Sequence, residues 1–126
     1  MRGEVRDLWV AALRSGRFQQ GTGKLTRLSE DGQVAACCCL GVLCELALEA
    51  GVELELYRSE YGTRFYDRED NFLPDAVREW AGLEAHDPEV TRTRDDQTPS
   101  TTSLSFLNDE VTLSFERIAD LVEEQL

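Results

Sequence analysis

Four cysteines fall within eight residues, at Cys37, Cys38, Cys39 and Cys44, and the sole histidine, His86, lies far downstream. Thiol and imidazole are the raw material of two chemistries, metal ligation and nucleophilic catalysis. Metal is the poorer fit, because a run of three cysteines followed by Cys44 lacks paired C-x2-C knuckles. Neighbouring residues on a strand also point to opposite faces, so the four sulfurs do not converge readily. A nucleophile needs less. If Cys39 opens a helix, the unpaired amides and the helix dipole favour its thiolate. His86 is then the candidate base, with Asp87 or Asp109 orienting the imidazole, and the product is a small cysteine hydrolase. Against this, free cysteine is commonly buried, and thiols at a strand-to-helix junction suit packing. A histidine in Ala85-His86-Asp87-Pro88 reads as a solvated turn residue. The expectation is reduced, structural thiols with no metal and no cofactor, and Cys39 with His86 stands as the catalytic alternative.

A second candidate is electrostatic. Residues 1–35 carry six basic and four acidic side chains, whereas the remaining 91 carry seven and twenty-one. The Gly-rich segment 14–27 holds Arg14, Arg17, Lys24 and Arg27. Guanidinium forks suit phosphate or carboxylate, and glycine lets backbone amides approach an anion. An anionic nucleotide held sponge-fashion is the ligand such a loop fits. The Gly21-Thr22-Gly23-Lys24 fragment is not a P-loop, since G-x4-G-K-[ST] is incomplete. The bland alternative is a solvated loop whose cations pair with the acidic surface.

The whole chain of 126 residues has a formal charge of -12. Coating double-stranded DNA is excluded by that balance, because phosphate neutralisation needs a basic footprint. Glu53, Glu55, Glu60, Asp67, Glu69 and Asp70 gather around one predicted hairpin, a face suited to a basic host protein or, as the bland alternative, one that only confers solubility. The longest apolar run, residues 35–43, is too short to span a bilayer, and the first residues lack an apolar signal core. No membrane association and a cytoplasmic location are expected.

The elements that must position these groups follow from periodicity. Val5, Leu8, Trp9, Ala12 and Leu13 share one helical face that stops at Ser15-Gly16. Residues 25–37 read as a β-hairpin turning at 29–32. Residues 39–50 form a helix with Leu40, Leu43, Cys44 and Ala47 on one side and Gly51 as its stop. A second hairpin pairs 52–57 with 63–67. Leu73-Pro74-Asp75 opens a short helix ending at Gly82. A strand at 89–93, a mobile loop at 95–102 and a helical turn at 104–107 precede a last helix capped by Ser114. Residues 1–126 are therefore expected to form a single compact α+β domain, an antiparallel sheet of hairpins packed by three or four helices. Trp9, Leu13, Leu43, Trp80, Phe115 and Ile118 are expected to meet in one core.

Several words occur in fixed order: Trp9-Val10-Ala11-Ala12-Leu13-Arg14-Ser15-Gly16, Gln20-Gly21, Cys38-Cys39-Leu40-Gly41-Val42-Leu43-Cys44, Leu73-Pro74, Trp80-Ala81-Gly82-Leu83, Leu107-Asn108-Asp109 and Ile118-Ala119-Asp120. Together they resemble a family of small uncharacterised proteins in tailed bacteriophages, prophages and actinobacteria. The resemblance spans nearly the whole chain. It implies a phage or mobile-element accessory protein, a class that includes host-takeover and anti-defence factors. Cys37 looks like an addition to the family pattern, and Glu110-Val111 replaces a Gly-containing turn expected after Asn108-Asp109. The leading expectation is a non-enzymatic binder of a host component, in the host cytoplasm if phage-encoded. The nucleotide sponge and the Cys39 hydrolase are the alternatives.

Overall fold

A computed structural model describes residues 1–126, and its elements are α1 (Gly3–Arg14), β1 (Thr26–Leu28), β2 (Val34–Cys37), α2 (Cys39–Glu49), β3 (Leu56–Arg58), β4 (Arg64–Tyr66), α3 (Asp75–Ala81), β5 (Glu89–Thr93), β6 (Pro99–Ser103), α4 (Leu104–Asp109) and α5 (Phe115–Gln125). This is an α+β domain with one apolar core. Five helices are present, one or two more than the periodicity implied.

The core is organised by α2. Cys39, Leu40, Gly41, Val42, Leu43, Cys44, Leu46 and Ala47 are all buried, so the helix is apolar around almost its full circumference, as a central helix must be. It packs on α1, α3, α4 and β2, and α1 lies against α5. α1 and α5 are amphipathic instead. Val5, Trp9, Val10, Ala12 and Leu13 of α1 meet Phe115, Ile118, Ala119 and Val122 of α5 within one apolar cluster. Ser114 caps α5 by accepting from the Arg117 amide. Five of the six residues expected to share the core are buried. Trp80 is the correction: it is half-buried and packs against the cluster, because α3 turns Val77 and Ala81 fully inward and leaves Trp80 at the edge of that face.

The hairpins are antiparallel, in three separate two-stranded ladders. The first two are nearly continuous. Arg27 bridges Thr63, and the Leu28 amide donates to the Gly62 carbonyl at 2.7 Å. The β1–β2 ladder itself shifts register between Arg27 and Leu28, with Ala35 the extra residue on β2. Residues 52–55 keep the expected alternation of half-buried and exposed side chains but lie outside β3.

The third ladder corrects the loop expected at 95–102. Residues 99–102 belong to β6, paired in register with β5 from Thr93↔Pro99 to Glu89↔Ser103. Polar composition suggested a loop, yet β-branched threonines suit a strand, and Pro99 is tolerated at a strand's first position. The turn itself is confined to residues 94–98, closed by the Arg94 amide on the Thr98 carbonyl at 2.8 Å. On the opposite edge of β5 the side-chain amide of Gln125 donates to the Thr91 carbonyl at 2.6 Å and accepts from the Thr91 amide at 2.7 Å.

After α4 the chain reverses without glycine. Thr112 takes φ 54°, and the Leu113 amide then reaches the Leu107 carbonyl at 2.9 Å. A β-branched residue in the left-handed region is strained by about 1–2 kcal/mol.

One glycine admits no side chain. A Cβ on Gly41 would stand 1.8 Å from the Leu25 carbonyl oxygen, where α2 crosses the strand entry. Gly41→Ala is expected to destabilise the fold by at least roughly 3 kcal/mol, since backbone rather than a mobile side chain must yield. Urea denaturation is the check: a midpoint equal to the parent's would show that the α2–β1 crossing opens freely.

Candidate functional site

The cysteines occupy the junction of β2 and α2, and all four are buried and unbridged. Cys38 takes the N-cap position of α2 and Cys39 is the first helical residue. The dipole argument for a Cys39 thiolate fails here. Burial outweighs the helix amides and pushes the Cys39 and Cys44 thiols well above their ordinary range. Burial also pushes Cys37 up to about 11, and pushes Cys38 up to about 12 although the Gly41 and Leu40 amides pull it down. The Cys39 Sγ donates to the Leu104 carbonyl at 3.7 Å and faces no solvent.

His86 is elsewhere. Its Nε2 lies 2.6 Å from Asp75 Oδ1 on the exposed start of α3, and that hydrogen bond holds the Asp75 carboxyl below the usual carboxylate range. Asp87, proposed as its orienter, bonds the Ser105 amide instead at 3.1 Å. Asp109 accepts from the Asn108 side chain. The Cys39–His86 pair is thus corrected: the thiol is sealed, the imidazole is at the surface, and each has another partner. No group of three or more His, Cys, Asp or Glu side chains is placed to hold a metal ion.

The basic segment does not converge either. Arg14 reaches across to α5 and binds Asp120 at 2.8 Å and Glu123 at 3.1 Å. Arg17 pairs with Glu49 at the end of α2 and stacks on Phe18. Lys24 binds Asp70 at 2.8 Å, and Arg27 donates to the nearby Thr22 carbonyl at 3.3 Å. Three of the four cations expected to cradle an anion are paired with carboxylates from α5, from α2 and from the loop between β4 and α3. The Arg14 to Arg27 segment is thereby corrected from a ligand loop to a set of surface ties.

What gathers in this region is neutral. Asn108 is completely buried, and its Oδ1 accepts from Gln20 Nε2 at 2.9 Å and from the Cys39 amide at 3.2 Å. Its Nδ2 donates to the Gly21 carbonyl and to Asp109 Oδ1, both at 2.8 Å. Gln20 also donates to the Leu113 carbonyl at 2.8 Å and accepts from the Phe115 amide at 3.1 Å. Beside it, Trp9 Nε1 donates to the Cys39 carbonyl at 2.9 Å. Neither amide residue stands out by charge or periodicity. The one sequence signal is that Gln20-Gly21, Cys38-Cys39 and Asn108-Asp109 are among the words in fixed order, and the fold brings them to one place. A second buried chain runs from Thr26 Oγ1 to the Tyr66 hydroxyl at 2.7 Å, then to Glu45 at 2.5 Å, with Arg64 on the same carboxylate at 3.0 Å.

The acidic hairpin is divided by the structure. Asp70 is held by Lys24, and Asp67 accepts from the Glu55 amide at 2.7 Å. Glu53, Glu55, Glu60 and Glu69 are exposed and form no ion pair. Large apolar groups stand among them: Tyr61 is 85% exposed and Tyr57 63%, and Leu56 is also uncovered. Tyr57 is steadied edge-on by Phe65, with ring centroids 5.8 Å apart.

A buried polar node ties the loop after α1 to the starts of α2 and α5 and to α4, and an acidic and aromatic hairpin stands exposed. The chain matches, over residues 1–126, a family described as a domain of unknown function (DUF8296), and it belongs to that family. No curated protein and no solved structure matches it. No helix is long and apolar enough to cross a membrane.

Replacing Asn108 by Ala leaves the Cys39 amide and the Gly21 carbonyl without partners in a dry setting, so a loss of about 3 kcal/mol is expected. An unchanged urea midpoint would show that water replaces the amide. The thiols make a pH prediction. An unfolded Cys37 ionises near 9.0 and the folded one near 11, so its stabilising contribution is whole below pH 9 and is lost as pH rises through 11. The unfolding free energy should fall above pH 9, and Cys37→Ala should flatten that fall by roughly 1.4 kcal/mol per pH unit. Parallel parent and variant curves in alkali would place the thiol in contact with water.

Proposed function

We propose that the protein is a phage-type accessory protein, a non-enzymatic binder of a host component in the host cytoplasm, and that it docks a basic protein surface through the β3–β4 hairpin. The observation that carries this reading is the exposure of Tyr57, Tyr61 and Leu56 among the unpaired carboxylates of Glu53, Glu55 and Glu60. Tyrosine supplies contact area with few rotatable bonds, and binding hot spots are enriched in it. A surrounding negative field steers a basic partner and rejects nucleic acid. The cysteines and the Arg14 to Arg27 segment lend no support to a hydrolase or a nucleotide sponge, because burial takes the first and ion pairing the second.

The test is affinity capture from host lysate with the parent and with Tyr57→Ser/Tyr61→Ser and Glu53→Lys/Glu55→Lys variants, each checked for native circular dichroism. A basic host protein should be retained by the parent, released by added salt, and weakened about 30-fold or more by the double tyrosine change. Identical capture by parent and both variants would refute the hairpin as the docking surface.

A further inference from the structure

Nine of the thirteen cationic side chains are tied to a carboxylate or a carbonyl within the protein. The four that are not are Arg68, Arg92, Arg94 and Arg117. In a chain with twenty-five carboxylates, an arginine without a partner is the exception. Three of these exceptions lie together. Arg92 and Arg94 are two apart on and just after β5 and so share a strand face, the face on which Val90 is buried. Arg117 stands in the first turns of α5, which packs on β5.

Between them runs a groove of about 360 Å³, lined by Arg92 and Arg117, by Thr91 and Thr93, and by Leu113 and Leu121. That volume is at the small end of ligand pockets. Arg92 continues into an adjoining hollow lined also by Arg94, Asp95 and Asp96. The Arg92 Nε is covered and has no acceptor in the protein, an uncompensated donor that native structures rarely leave without a reason. Two carboxylates share the wall. Asp120 is already held by Arg14 at 2.8 Å, which leaves Glu124 as the free acceptor.

We infer that this groove binds a small phosphate-bearing molecule of mononucleotide size. The phosphate sits between the guanidinium groups of Arg92 and Arg117, which offer forked donors matched to its oxygens. Leu113 and Leu121 give an apolar floor for a ring, and Glu124 accepts from a hydroxyl or amino group of the ligand. An inorganic anion alone would use only the arginines. None of the acidic hairpin residues takes part, so this site stands or falls independently of the docking surface.

The experiment is titration of the full chain with adenosine 5′-monophosphate and with inorganic phosphate, followed through the amide NMR spectrum. Shifts should be confined to residues 91–94 and 113–124, with phosphate competing against the nucleotide. Arg92→Gln and Arg117→Gln should each weaken nucleotide binding at least about tenfold, the loss expected for one charge-assisted contact. Arg117 is exposed and its replacement leaves the core untouched, which keeps the test sound if Arg92→Gln unfolds. Arg68→Gln, the unpaired arginine outside the groove, should bind as the parent does. Absence of shifts with both probes at millimolar concentration, or equal affinity in parent and Arg117→Gln, would overturn the inference.

Discussion

The fold depends on the side-chain amide of Asn108 more than on any single apolar contact. A buried amide must find several partners at once, and in this protein they come from three stretches of chain: Gln20 and Gly21 from the loop after α1, Cys39 from the start of α2, Asp109 from its own helix end. Gln20 then carries the network on to Leu113 and Phe115. Apolar burial is indifferent to small displacements, whereas hydrogen bonds in a dry setting are not. The amide pair therefore fixes the register in which α1, α2, α4 and α5 close on one another, and Gly41 permits that closure by leaving room for the Leu25 carbonyl.

Two opposing effects meet at the first turn of α2. The helix amides favour a thiolate, and the surrounding apolar side chains oppose any charge. Burial prevails at all four cysteines because desolvation is the largest influence on each thiol, and at Cys37 it outweighs the Thr26 hydroxyl and the charge of Arg64. The same location that looks reactive in a one-dimensional reading is thus the least reactive part of the chain. Reactivity at a helix start requires access as well as a dipole.

Local rules made much of the architecture legible. The 3.6-residue spacing of α1 and α5, the Ser114 cap and the glycine stop of α3 are properties of neighbours in sequence, and the class of fold followed from them. The pairing of charges was not legible. Arg14 finds its carboxylates 106 and 109 residues away, and Lys24 finds Asp70. Three of the four cations in the Arg14 to Arg27 segment are paired with carboxylates, and the cations left free, Arg68, Arg92, Arg94 and Arg117, sit in stretches of unremarkable sequence. β6 escaped notice because Pro99-Ser100-Thr101-Thr102 has the composition of a loop, and only its partner strand makes it a ladder. Helical spacing with Val77 and Ala81 places Trp80 on the core side of α3, but those two residues take the buried face and Trp80 stays at its margin. Asn108 and Gln20, which bind the node together, carry no charge and no periodicity, so nothing but their place in the words that carry the family resemblance distinguishes them.

The amide of Gln125 against Thr91 has a consequence for how copies of this protein meet in a crowded solution. A strand edge with open N–H and C=O groups is a template on which another chain can add, and the usual defences are charge, proline or a covering element. In this domain the last turn of α5 supplies a single side chain that makes both bonds a neighbouring strand would make. The seal is built into one residue near the end of a helix, where fraying is easiest. Loosening that turn would leave the Thr91 amide and carbonyl open to the edge of another strand.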